Sequence, residues 1–166
     1  MPYPLRIDAA TPADVPLILD FIRQLAAYEN QPDAAVATEA LLQRALFSEA
    51  PAAEAVVARW DGAPAAFALW FQTFSTWTGL PGMWLEDLFV HPGYRRRGIG
   101  KSLLVYLASI CRDRGYGRFE WAVLDWNEPA LDFYQTLDAV PLNEWTMHRL
   151  SGESILRLAE RVDSWQ

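Results

Sequence analysis

Apolar residues along this chain change period several times, and the changes outline its elements. Residues 6–9 form a short strand-like run. Thr11-Pro12-Ala13-Asp14 then predicts a helix start, with Thr11 as N-cap, Pro12 in the first helical position and an early acid that favours the helix dipole. Ile18, Ile22 and Leu25 carry that helix to about Glu29 as a buried stripe, and Thr38 opens a second helix through Leu41, Leu42, Ala45 and Leu46. Residues 54–60 and 65–74 are strand-like, and Asp61-Gly62 between them is a hairpin signal. Residues 75–82, with two glycines and a proline, predict a loop, and 84–90 a further strand. Ile99, Leu103, Leu104, Leu107 and Ile110 recur at helical spacing and end near Gly115. Beyond them, 119–124 predicts a strand, 129–137 a helix, 145–150 a last strand, and Ser151 the cap of a terminal helix carrying Ile155, Leu158 and Val162.

Strands and helices intermix without strict alternation, which predicts an α/β fold with a mixed sheet. No linker suggests a second domain, so the expectation is one domain over 1–166, with its core in 5–150 and a C-terminal helix in 151–165. The 166 residues are 52% hydrophobic and 21% charged, the balance of a globular chain. No window approaches the ~18 apolar residues of a membrane span, and the N-terminus lacks the charge and apolar run of a signal peptide. The single cysteine, Cys111, excludes an internal disulfide framework and fits a reducing compartment; cytoplasm is expected. A net charge of −7 argues against nucleic-acid binding and is compatible with a cationic substrate.

The densest chemical signal lies between Val90 and Leu104, where a strand runs through a Gly/Arg-rich turn into an amphipathic helix. Gly98 and Gly100 sit at that helix start, where each costs ~1 kcal/mol relative to alanine in a helix interior. Glycines there let an anion approach the free backbone N–H groups, and Arg95, Arg96 and Arg97 add positive charge. The plain alternative is a solvated basic turn. A Walker A loop would need glycine at Arg95, and a dinucleotide fingerprint would need glycine at Leu103.

Arg95-x-x-Gly98-x-Gly100 is similar to the pyrophosphate signature of the GNAT superfamily of N-acetyltransferases. Tyr28-Glu29, Phe74 to Trp77, Leu85 to Val90, Leu124 to Asn127 and Asp132-Phe133-Tyr134 follow in the same order as in that family. Together they resemble its branch of diamine (spermidine/spermine) and thialysine N-epsilon-acetyltransferases, with the Ser-Thr-Trp and Asp-Trp-Asn variants closer to the thialysine group. The resemblance implies a twisted, mostly antiparallel sheet with two splayed central parallel strands and flanking helices. It implies acetyl-CoA as cosubstrate, held by the backbone of Leu88, Phe89 and Val90, by the turn from Arg95 through Arg96, Arg97, Gly98, Gly100 and Lys101, and by Asn127 and Tyr134. It also implies a homodimer.

By the same resemblance Tyr134 is the general acid that protonates the leaving thiolate, and Glu86 the carboxylate that helps deprotonate the amine. Glu86-Asp87 is an odd charged pair within an apolar strand; the alternative is a carboxylate pair at a bulge or in a salt bridge. Tyr28, Glu29, Trp77, Glu86 and Asp87 are the substrate-side residues. Glu29 continues the apolar stripe of its helix and either binds an ammonium or is a solvated helix end. Trp77 either walls the amine channel or is an exposed packing residue. Asn127 either contacts CoA or caps the helix that follows, and Tyr134 is otherwise a core aromatic.

Cys111 lies too late in its helix for an acyl-enzyme, and neither His91 nor His148 has ligand-like spacing, so no metal is expected. The resulting expectation is acetylation of a primary amine of a small cationic metabolite, by direct attack in a ternary complex. The rivals are a protein or peptide N-acetyltransferase and a non-catalytic acetyl-CoA sensor. After the Tyr134 helix the family has Leu-Gly-Ala where this chain has Leu137-Asp138-Ala139, which predicts a small stability cost.

Overall fold

Every strand expected up to residue 90 forms, in chain order. The computed structural model describes residues 4–165, which fall into two units, one up to Ala122 and one from Val123 onward. In the first unit β1 (Leu5–Ala9), β2 (Glu54–Trp60), β3 (Ala63–Ser75), β4 (Leu80–Val90) and β5 (Phe119–Trp121) lie side by side in that order. All neighbours are antiparallel except β4 and β5, which are parallel. Asp61 and Gly62 both take left-handed φ, 49° and 83°, the two-residue turn that matches strand twist. Gly82, expected in a loop, instead lies inside β4. A Cβ there would meet Thr73 Oγ1 at 2.8 Å and the Arg118 carbonyl oxygen at 3.1 Å, so this glycine serves a close approach between backbones.

Helices α1 (Val15–Tyr28), α2 (Glu39–Phe47) and α3 (Ile99–Asp113) cover the sheet. The Thr38 hydroxyl caps α2, accepting from the Leu41 amide. On one face Ile18, Leu19 and Phe21 of α1 and Leu42 and Leu46 of α2 pack on Val57, Phe67, Leu69 and Phe89. Phe21 lies 5.9 Å from Phe67 and 5.6 Å from Phe89, centroid to centroid. On the other face α3 buries Ile99, Leu103, Leu104, Leu107 and Cys111, and Cys111 Sγ meets Met83 Sδ at 3.9 Å. No described helix is long and apolar enough to cross a membrane.

A polar knot fixes the start of α1. Asp14, buried within a short 3₁₀ turn (Pro12–Asp14), accepts from the Thr11 amide and hydroxyl, each at 2.8 Å, and from Arg59 of β2. Burial alone would raise its carboxyl; the Thr11 bonds and the Arg59 guanidinium outweigh burial and hold it below its usual value.

The second unit contains α4 (Glu128–Gln135) and α5 (Glu153–Ala159), followed by a 3₁₀ turn (Glu160–Trp165). Here several expectations are corrected. Residues 145–150 form no strand, β5 stops at Trp121 rather than 124, and Gly152, not Ser151, occupies the cap position of α5. Pairing of β4 with β5 ends at Leu85↔Trp121, and the next residue of β4 is a bulge, so nothing continues the ladder. β5 is accordingly the edge strand of the described sheet, not a central one. Periodicity reveals which face a strand buries but not whether a neighbour exists to bond its backbone.

α4 ends as its sequence foretold. Asp138 takes φ 58°, the Ala139 amide donates to the Tyr134 carbonyl and the Asp138 amide to that of Gln135, a Schellman stop with aspartate at the glycine position. Asp138→Gly should therefore stabilise the protein by about 1 kcal/mol, read as a higher midpoint in urea at unchanged slope. Asp14→Asn should cost roughly 1–3 kcal/mol at pH 7. Because the folded Asp14 pKa lies below the ordinary 3.8, that stabilisation is present above pH 3.8 and is lost as pH falls through the folded value. Wild-type and Asp14→Asn melting curves should converge in acid.

Candidate active site

One extra residue in β4 organises the site. Leu69 of β3 pairs with Asp87 and Trp70 with Leu85, leaving Glu86 unmatched. Before the bulge Met83 faces α3; after it Leu88 and Val90 face α3, under Gly100, while Phe89 packs on Phe21 of α1. The bulge thus inverts the alternation, and Asp87, two residues from Phe89, turns to the α1 side of the sheet. The same residue ends the parallel ladder, so among the described residues no strand pairs with the outer edge of 86–90.

On the α1 side Asp87 lies within electrostatic reach of Glu29. Burial pushes the Asp87 carboxyl from 3.8 up to about 6, and the negative charges of Glu86 and Glu29 push the same way. Glu29, the residue that ends α1, is half-buried, and burial raises it too. The half-buried Glu29 carboxylate thus adds to the negative field at Asp87. Glu86 is exposed at the bulge and accepts a hydrogen bond from Trp84 Nε1 at 2.9 Å. The sequence reading passed over Trp84. Its signal was the i, i+2 spacing to Glu86, which places two strand residues on one face.

At the other end of this stretch lies the Gly/Arg-rich turn. Arg96 and Gly98 take left-handed φ, 62° and 76°, and Gly98 is the N-cap of α3. The first amides of a 15-residue helix lack intrahelical acceptors and point at one spot. A Cβ at Gly98 would meet nothing within 4 Å, and one at Gly100 only Val90 Cγ2 at 3.8 Å and Leu88 Cδ2 at 4.0 Å. Gly98 is thus required by its left-handed conformation, whereas side-chain crowding explains neither glycine. Free amides, an exposed cationic Lys101 and an unpaired strand edge suit a ligand with phosphates at one end and amides along its arm, as CoA has.

The three arginines divide their work. Arg95 donates from Nε to the Val90 carbonyl at 3.1 Å and lies over the Tyr28 ring, 4.9 Å from its centroid. Arg97 lies over both Trp60 (5.2 Å) and Tyr94 (5.5 Å). Two of the three guanidinium groups therefore brace the turn against aromatic rings. Arg95 and Tyr28, assigned separately to the cofactor and amine sides, are in contact. His91 is structural: its Nδ1 accepts from the Gly93 amide.

The remaining expected residues are placed as follows. The Phe89 side chain is core, so only its backbone is available to a ligand. Trp77 is 79% exposed at the tip of the β3–β4 hairpin, six residues of β4 from the start at Leu80 to Glu86, or ~20 Å of extended strand. Asn127 occupies the N-cap position of α4 without a side-chain capping bond. Tyr134 is half-buried in α4 beside Phe133, and burial raises its phenol, which keeps the O–H in place near neutral pH. Burial likewise raises the Cys111 thiol, which makes it a poor nucleophile. Among the described residues no cluster of three or more His, Cys, Asp or Glu side chains could hold a metal.

The architecture recurs in solved structures. An integron cassette protein from the mobile metagenome of V. cholerae superposes with a TM-score of 0.78 at 26% identity, over 95% of this chain and 98% of that one. An aminoglycoside acetyltransferase from a soil metagenome shares the fold with a TM-score of 0.73 at 20% identity, over 90% and 96% of the two chains. The pattern of the Acetyltransferase (GNAT) family matches residues 20–138, and the chain belongs to that family: it is an N-acetyltransferase. Among curated relatives, the thialysine N-epsilon-acetyltransferase of Sus scrofa is 37% identical over 92% of this chain and 96% of its own. The L-ornithine N5-acetyltransferase of Arabidopsis thaliana is 30% identical over 90% and 86%.

Ionised Asp87 is a stability cost of the site. With its folded pKa raised from 3.8 to about 6, stability is full below pH 3.8 and is lost as pH rises through about 6. Asp87→Asn should therefore raise the melting temperature by several degrees at pH 8 and leave it nearly unchanged at pH 4, while lowering turnover.

Proposed function

We propose that this protein uses acetyl-CoA to acetylate the terminal primary amine of a small cationic metabolite, of the thialysine, lysine or ornithine type. The observation that carries the reading is the pairing, along one five-residue stretch of β4, of an acidic cluster at Glu86, Asp87 and Glu29 with an anion-binding turn at its other end. Relatives named for thialysine and L-ornithine acetylation, both amino acids with a side-chain amine, support the substrate class.

Acetyl-CoA supplies an acetyl thioester, whose carbonyl carbon is the acceptor. The turn from Arg95 to Lys101 holds its phosphates, and the open edge of β4 at Leu88 and Val90 its pantetheine arm, with Arg95 already on the Val90 carbonyl. On the amine side the difficulty is protonation. A lysine-like amine has a pKa of ~10.4, so its neutral form costs roughly 4–5 kcal/mol at pH 7. Asp87 and Glu29 attract the ammonium, and Glu86, exposed at the bulge, takes its proton directly or through water. The amine then attacks within a ternary complex; the C–N bond forms, the C–S bond breaks, and Tyr134 protonates the departing thiolate. Tyr134, Asn127 and the substrate-side Trp77 enter on the family resemblance. A high-pKa, buried Cys111 supports direct attack over an acyl-cysteine route. The same resemblance carries a homodimer, and the lone buried thiol suits the cytoplasm.

Tyr134→Phe should lower kcat by about 100-fold while acetyl-CoA still binds, and unchanged turnover would remove Tyr134 from the acid role. CoA release across thialysine, lysine, ornithine, spermidine, putrescine and a lysine peptide tests the substrate class. Highest kcat/KM on the amino acids is expected; a preference for the peptide would overturn it.

A further inference from the structure

The bond from Trp84 Nε1 to Glu86 Oε2 joins a fixed residue to a loose one. Trp84 pairs with Phe71 of β3 on one side and Glu120 of β5 on the other, so its backbone is held by two neighbours. Glu86 is the bulged residue with no partner opposite it in β3, and its side chain is exposed. An exposed glutamate at a bulge has three side-chain torsions to lose before its carboxylate can meet a substrate in one geometry. A charge-assisted bond at 2.9 Å from a ring two residues away, on backbone paired at both sides, removes much of that freedom in advance.

We infer that Trp84 is a positioning residue, whose indole N–H holds Oε2 of Glu86 and leaves Oε1 as the oxygen presented to the amine. The inference rests on the reading of Glu86 given above. Indole is a donor only, so Trp84 orients the carboxylate without competing for the proton of the amine. The bond also gives the indole N–H a use that a purely packing aromatic, one residue before the end of the β4–β5 ladder, would not need.

The test is a double-mutant cycle on the whole chain, with kcat and KM measured on thialysine and acetyl-CoA affinity measured separately. Glu86→Gln should lower kcat on the order of 100-fold. Trp84→Phe should lower it roughly five- to tenfold, with acetyl-CoA affinity unchanged, and should cost nothing further in the Glu86→Gln background. Trp84→His, which keeps a ring N–H, should recover part of the loss and carries the comparison if Trp84→Phe fails to bind acetyl-CoA. If the two effects multiply in the double variant, or if Trp84→Phe and Trp84→His are equally impaired, Trp84 acts by packing and the inference is overturned. An unaffected Glu86→Gln would overturn the reading of Glu86 itself, and this inference with it.

Discussion

A single β-bulge sets the layout of the first unit. If β4 kept strict alternation through Glu86, the side chain at 87 would point toward α3 with Met83, and Phe89 would lose its place against Phe21. The extra residue moves a carboxylate to the α1 side, where Glu29 already lies, and in the same step stops the parallel ladder at Leu85. β4 has a strand on both sides from Met83 to Leu85 and, among the described residues, on one side after Leu85. The opening and the charge that attends it thus have one cause.

The charges at the two ends of this stretch are maintained by different means. At the acidic end burial raises the carboxyls of Asp87 and Glu29, and the charges of Glu86 and Glu29 raise Asp87 further, a cost that a bound cation would offset. At the basic end the guanidinium groups of Arg95 and Arg97 are laid over aromatic faces, which fixes the backbone between them. Arg96, between the two, carries the left-handed backbone that the turn requires. A non-glycine residue there stores about 1–2 kcal/mol of strain.

Much of this was legible in the sequence where one residue type has one physical reason to be present. Asp61-Gly62, Thr38, the stripe from Ile18 to Leu25 and Gly98 each specify local geometry, and each reappears in place. Asp138 was legible even as a departure, because the helix stop demands a conformation whatever residue fills it. What the sequence hid depends on neighbours. Residues 145–150 alternate well enough for a strand, yet a strand needs a ladder to join. The charged pair Glu86-Asp87 raised a bulge as one reading, and β4 has one, but the side of the sheet that Asp87 faces depends on the register with β3, which the sequence does not contain. The partition of three consecutive arginines was equally hidden, since Tyr28 and Trp60 lie far from them in the chain.

The sulfur pair under α3 has a consequence of another kind. Cys111 and Met83 face each other inside the core, and Cys111 is the only cysteine of the chain. In the folded state the surface therefore offers no sulfhydryl to oxidants, alkylating agents or mixed-disulfide partners.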